Sequence, residues 1–273
     1  MGSQVVNGGK LGEVAQKTIH HHFSKIASRY HYLRTTDSEP IILIARNLNK
    51  LSRVEAADIG CGTGRYEALL LKYLGNKLHL SCVDASGDML KRLDTYLKKH
   101  GISNFKSISS RAESLPFPNN NLDCICTFNA VHHFNLLGFL RESARVLKKG
   151  GYLFIYTRLP EQNMRNIWGQ YFPEFCEKEN RLHTLDTFMQ EILAVSALRL
   201  KSVEYFKYKR ISILEQLIER ARANHYSTFW LYSSEELEEA IAAFIQNIRA
   251  NFKDVDNVSW FDENVMLVLR KEG

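Results

Sequence analysis

Asp58-Ile59-Gly60-Cys61-Gly62-Thr63-Gly64 closes an apolar run over residues 53–59 and opens a helical pattern over 65–74. Three glycines at alternate positions let the backbone turn tightly and approach a ligand closely, because no Cβ intrudes. The helix that follows presents its N-terminal N–H groups to whatever the loop holds. Strand, glycine turn and helix in that order begin a layered α/β fold.

Downstream the alternation continues. The residues predict strands over 78–84, 105–109, 122–129 and 152–157, and helices over 86–100 and 137–148, the latter stopping at Gly150-Gly151. Upstream, Val14, Ile19, Phe23, Ile26, Ala27 and Tyr30 fall at helical spacing within 11–33, and 39–51 predicts a second helix. Apolar strands alternating with amphipathic helices imply a mostly parallel sheet covered on both faces. After Arg158 the rhythm changes. Residues 160–175 are rich in aromatics, 185–195 read as a helix and 200–208 as a strand. Helices over 213–223 and 234–252 follow, then extended stretches over 258–261 and 265–270, interrupted by Asp262-Glu263-Asn264.

Lys plus Arg number 36 against 30 Asp plus Glu, a formal charge of +6. The basic residues are scattered, as in Lys91-Arg92 and Lys148-Lys149, which reads as solvated faces rather than a nucleic-acid footprint. Five cysteines without a CxxC pair read as free thiols in a reducing, cytoplasmic setting. Residues 1–10 are small and polar, a flexible tail with no apolar leader, and no run is long enough to span a membrane. His20-His21-His22 is no metal site on a helix, because adjacent residues point about 100° apart; no metal is expected.

Asp84 ends the second core strand, 20 residues after Gly64, where a carboxylate can accept hydrogen bonds from ribose hydroxyls. A dinucleotide fingerprint would need Gly or Ala at the sixth position from Gly60, which is Arg65. The acid-x-G-x-G-x-G spacing instead resembles the first motif of class I S-adenosylmethionine-dependent methyltransferases. Val83-Asp84-Ala85-Ser86 resembles the second motif, 110–118 (Ser110-Arg111-Ala112-Glu113 onward) the adenine-side loop, and Phe128-Asn129-Ala130-Val131-His132-His133-Phe134 the segment after the fourth strand. Arg145-Val146-Leu147-Lys148-Lys149-Gly150-Gly151 resembles the family's late, architectural motif. The resemblance covers roughly residues 20–158.

That resemblance implies a doubly wound, mostly parallel seven-stranded sheet of order 3-2-1-4-5-7-6, its last strand antiparallel, with N-terminal helices and a helical cap. In a single domain, 11–158 would be the cofactor-binding core with lid helices, and 159–273 the cap insertions plus the last core strands. The cofactor would be S-adenosylmethionine, held by Asp58, Gly60, Cys61, Gly62 and Gly64 around its methionine portion, with Asp84 on the ribose. Ala85 or Met89 would meet the adenine. Ala112 and Glu113 would belong to the adenine-side loop, with Glu113 either touching the base or bracing the loop. Arg111 stands where many relatives have Asp. Asn129 and Ala130 would line the methionine end, and Tyr30 would either fold over the cofactor as part of a lid or pack as part of an apolar helix face.

His132 and His133 stand where an acceptor would meet the sulfonium, as a base or as positioning groups. Displacement from a sulfonium gains mainly from in-line positioning, so a base is not required. Trp168, Tyr171, Tyr226 and Trp230 are candidates for an apolar acceptor pocket, or else the cap's own core. Arg158, Arg165, Arg181 and His183 are candidates for an anionic acceptor, or else a coat on the cap. The reaction expected is methyl transfer to a small molecule. The alternatives are an RNA or protein methyltransferase, opposed by the absence of an Asn/Asp-Pro-Pro-Tyr/Phe tetrapeptide after the fourth strand, a non-catalytic cofactor-binding partner, and, more remotely, a nicotinamide oxidoreductase. The oligomeric state is not legible.

Overall fold

The computed structural model describes residues 36–272. The predicted tail, the 11–33 lid helix with Tyr30, and the triple histidine lie outside the described residues. The chain runs through α1 (Glu39–Asn47), β1 (Val54–Ile59), α2 (Arg65–Leu74), β2 (Leu78–Asp84), α3 (Gly87–Lys99), β3 (Phe105–Ser109), β4 (Leu122–Phe128), α4 (Leu136–Val146) and β5 (Leu147–Thr157). It continues through α5 (Pro160–Arg165), α6 (Ile167–Tyr171), α7 (Phe175–Lys178), α8 (Leu185–Leu193), β6 (Leu198–Ser212), α9 (Leu214–Arg222), α10 (Ser234–Asn251) and β7 (Val258–Lys271). The seven strands form one sheet in the order β3-β2-β1-β4-β5-β7-β6. Only β7 runs against its neighbours, antiparallel to both β5 and β6.

Side chains alternate across the pleat, so each central strand feeds two cores. Phe154 of β5 packs with Ile41 and Ile44 of α1, Leu70 of α2 and Leu93 of α3 on one face. Its neighbour Ile155 packs with Phe139 and Leu140 of α4 on the other. Helix α8, read from sequence as part of the cap, belongs to this second layer. Its apolar positions Phe188 and Ile192 are four apart on one helical face and bury against the sheet. The cap has a separate core made by α6, α7, α9, α10 and a 3-10 turn over Ser227–Leu231.

Two boundaries differ from the sequence reading. Helix α4 ends at Val146, because Leu147 is already paired with Leu122 of β4. Residues 148–151 then bulge before the ladder resumes at Tyr152 opposite Cys124. Gly150 takes a φ of +80° there, and a Cβ on Gly151 would sit 2.9 Å from the Lys148 carbonyl oxygen. Strand β7 is also continuous through Asp262-Glu263-Asn264, which pair with Tyr208, Lys207 and Phe206 of β6. Those acids stay in the ladder with three arginines, Arg158, Arg165 and Arg210, and one lysine, Lys207, paired to them. Within the described residues no helix is long and apolar enough to cross a membrane.

Candidate active site

The strand order reverses between β1 and β4, and in such sheets the crevice beyond the carboxyl ends at that point receives ligands. A cleft of about 1080 Å³ opens there, lined by the loops after β1, β2, β3 and β4. Among the described residues, the sequence-predicted Asp58, Gly60, Cys61, Gly62, Asp84, Ala85, Met89, Ala112, Glu113, Asn129 and Ala130 all line it.

Each glycine of the first loop has its own reason. All three take a positive φ. A Cβ on Gly60 would lie 2.5 Å from Ala130 Cβ, so Gly60 lets the β1 and β4 loops touch. Gly62 has no heavy atom within 4 Å of its ideal Cβ, so its bare face is the floor of the cleft. Gly64, expected at the cofactor, does not line the cleft. It N-caps α2 and brings that helix onto α3, where a Cβ would stand 3.2 Å from Leu93 Cγ.

Asp84 is held by both oxygens. The Gly62 amide donates to Oδ2 at 2.9 Å and the Ser86 amide to Oδ1 at 2.8 Å. A carboxylate has about four lone-pair sites, so this grip fixes its plane while leaving acceptor capacity. Ser86 in turn caps α3 by accepting from the Met89 amide. On the next loop Glu113 acts as a brace. It accepts from the Asn135 amide at 2.8 Å at the start of α4 and from Arg111 Nε at 3.3 Å.

Asp58 and Glu67 form a buried acid pair beneath the loop, each about 1% exposed. Burial pushes both carboxyls up, Glu67 to about 7, and their proximity raises Asp58 further. Glu67 was missed in sequence. Its signal was an acid at i, with Leu70 and Leu74 at i+3 and i+7, on the buried stripe of α2.

A second cleft of about 1090 Å³ lies against the first. It is lined by the ends of β5, β6 and β7 and by the cap, and Arg65, Tyr66 and Asn129 line both clefts. The Tyr66 ring lies flat on Phe128, 4.2 Å between centroids. Asn129 takes a φ of +53°, a conformation Asn tolerates better than most residues, with its amide donating to the Tyr156 carbonyl at 2.7 Å. The short 3-10 turn over Val131–His133 divides the two histidines, His133 to the first cleft and His132 to the second.

The second cleft is polar. Asp37 holds Arg210 through both oxygens at 2.7 and 2.8 Å, and Asp262 accepts from Arg158 and Arg210, each at 3.2 Å. Of the four aromatic candidates, Trp168 and Tyr226 line this cleft. Trp168 is also central to the cap core, 5.1 Å from Phe229 and 5.2 Å from Phe244. Tyr171 lines a separate groove and packs on Phe252, and Trp230 lines none of these three cavities. Arg165 pairs with Glu263, and Arg181 with Glu179. His183 packs against Phe188, where burial lowers its pKa.

Residues 57–155 match the family model described as a methyltransferase domain. The chain is 32% identical to the ubiquinone/menaquinone biosynthesis C-methyltransferase UbiE of Shewanella oneidensis over 147 residues, 52% of this chain and 59% of that protein. It is 29% identical to a demethylmenaquinone methyltransferase of Listeria welshimeri over 59% of this chain and 72% of that one. The fold resembles the crystal structure of the YcgJ protein of Bacillus subtilis, with a TM-score of 0.61 at 18% identity, over 87% of this chain and all of that one. The strand order and the glycine loop at its switch point give this chain the fold of the class I S-adenosylmethionine-dependent methyltransferases, and residues 57–155 match a methyltransferase domain within it.

Proposed function

We propose that this protein transfers a methyl group from S-adenosylmethionine to a small-molecule acceptor. The observation that carries the reading is the shared wall. The cleft with the glycine floor and the Asp84 carboxylate meets the capped cleft along Arg65, Tyr66 and Asn129. A methyl donor in one and a nucleophile in the other need only that boundary between them, which suits in-line displacement.

The residues of the first cleft fit the cofactor. Gly62 offers bare backbone, Asp84 a clamped acceptor for ribose hydroxyls, and Ala85 and Met89 an apolar rest for adenine. Ala112 and Glu113 line the loop assigned to the adenine side, and Ala130 the methionine side. When bound, the cofactor supplies an electrophilic methyl on sulfur; this chain holds, orients and encloses. His132 is the histidine that faces the acceptor side.

The chain spans 59% of the length of the Shewanella relative, and the family match ends at residue 155. Arg158, Arg210 and the cap lie beyond it, so the acceptors in those relatives' names are not carried over. The test is incubation with methyl-labelled S-adenosylmethionine and an ultrafiltered metabolite extract. Label in a small-molecule product, lost in Gly62→Val, is expected. Label in tRNA or protein would favour the macromolecular alternative, and cofactor binding without turnover would favour a non-catalytic partner.

A further inference from the structure

The second cleft has an unbalanced charge. Four arginines line it (Arg65, Arg158, Arg210, Arg220) against three carboxylates, Asp37, Glu179 and Asp262. Every carboxylate is already engaged. Asp37 holds Arg210, Asp262 takes Arg158 and Arg210, and Glu179 is neutralised from outside the lining by Arg181 at 2.6 Å. Arg65 sits near Glu67 and donates to Thr36 Oγ1 at 3.3 Å. The three arginines that the sequence offered as anion readers, Arg158, Arg165 and Arg181, are thus consumed by Asp262, Glu263 and Glu179.

Arg220 is different. It is partly buried, lines the cleft from the last turn of α9, and its guanidinium has no hydrogen-bond or ion-pair partner among the described residues. Its backbone carbonyl is fixed by His225, which donates from its amide and from Nδ1, both at 3.1 Å. The His225 ring packs on Trp168 and Tyr226, so the arginine stands at the rim of flat aromatic walls. A guanidinium that lines a cleft offers an oxyanion paired, charge-assisted hydrogen bonds in a fixed fork.

Resting on the reading of this cleft as the acceptor site, we infer that the acceptor carries an anionic oxygen group, carboxylate or phosphate, which Arg220 receives while the Trp168 and Tyr226 rings flank its body.

The test uses the full chain saturated with S-adenosylhomocysteine, titrated with benzoate, phenyl phosphate and the neutral benzamide while tryptophan fluorescence is followed. At least one anion is expected to bind about tenfold or more tightly than benzamide, and Arg220→Gln to remove that preference. Arg220→Lys, which keeps the charge without the fork, should retain part of it. Arg220→Gln should keep the parent's affinity for benzamide and its tryptophan emission, to which Trp168 in the cap core contributes, which separates a lost anion contact from a misfolded cap. Preference for phenyl phosphate or for benzoate distinguishes the two oxyanions. Equal binding of benzamide, no anion binding at millimolar concentration, or an anion preference that survives Arg220→Gln would overturn the inference. If S-adenosylhomocysteine itself does not bind, the methyltransferase reading fails instead.

Discussion

The two clefts share a wall but are built in opposite ways. The first is assembled from loops that directly follow consecutive strands, and its lining comes from residues 58–134. Its parts are held by short-range grips, such as Asp84 on Gly62, 22 residues away, and on Ser86, two away. The second draws on residues 37 to 264, and its ion pairs join positions as far apart as Asp37 and Arg210, separated by 173 residues. A site made from one strand-loop-helix grammar can be kept while everything beyond it varies. A site made from distant segments of cap and sheet edge can change its lining without disturbing the first cleft. Function resides in such grafted sites rather than in the fold itself.

If that division is right, damage to one cleft should spare the other. The largest effect is expected from Arg210→Ala. It strands Asp37 and half of Asp262 in a buried setting, and chemical denaturation should show a loss of about 3–5 kcal/mol. The folded fraction should still bind S-adenosylhomocysteine normally. Gly62→Val should do the reverse. A β-branched residue at a φ of +59° is strained, and its side chain would occupy the cleft floor. Calorimetry should give an affinity for S-adenosylhomocysteine about a hundredfold weaker or more, at little cost to the cap.

Asp84→Ala removes one cofactor acceptor and frees the Gly62 and Ser86 amides, so a loss of about tenfold or more in cofactor affinity is expected by the same titration. Unchanged affinity would take Asp84 off the ribose.

The acid pair carries an effect that shows only as a dependence on pH. Glu67 rises from an ordinary 4.5 to about 7, so the native state holds its proton more tightly than the unfolded chain. Its stabilisation is complete below about 4.5 and is lost as pH rises through about 7. Glu67→Gln should therefore flatten the decline in stability between pH 5 and 8, by about 1–3 kcal/mol, in melting curves at the two pH values.

The glycine spacing and the placed Asp84 were legible because strand, turn and helix each leave a period or a special residue behind. The strand order followed from the family resemblance those residues carry. Gly64 shows the limit of that reading. Its spacing matches its neighbours, yet it serves helix packing, and only the nearness of Leu93 reveals it. The acids of β7 looked like an interruption because their partners, Arg158, Arg165, Lys207 and Arg210, are far away in sequence. Arg220 and His225 carried no motif. Their relation is a bond from a ring to a helix-end carbonyl, which depends on the turn after α9.

The most direct test of the central claim is titration of the purified chain with S-adenosylmethionine and S-adenosylhomocysteine, followed by native mass spectrometry and calorimetry, beside Gly62→Val. Saturable one-to-one binding of both, lost in the variant, is the predicted result. Failure of both ligands to bind the parent chain, or equal binding by Gly62→Val, would contradict the account.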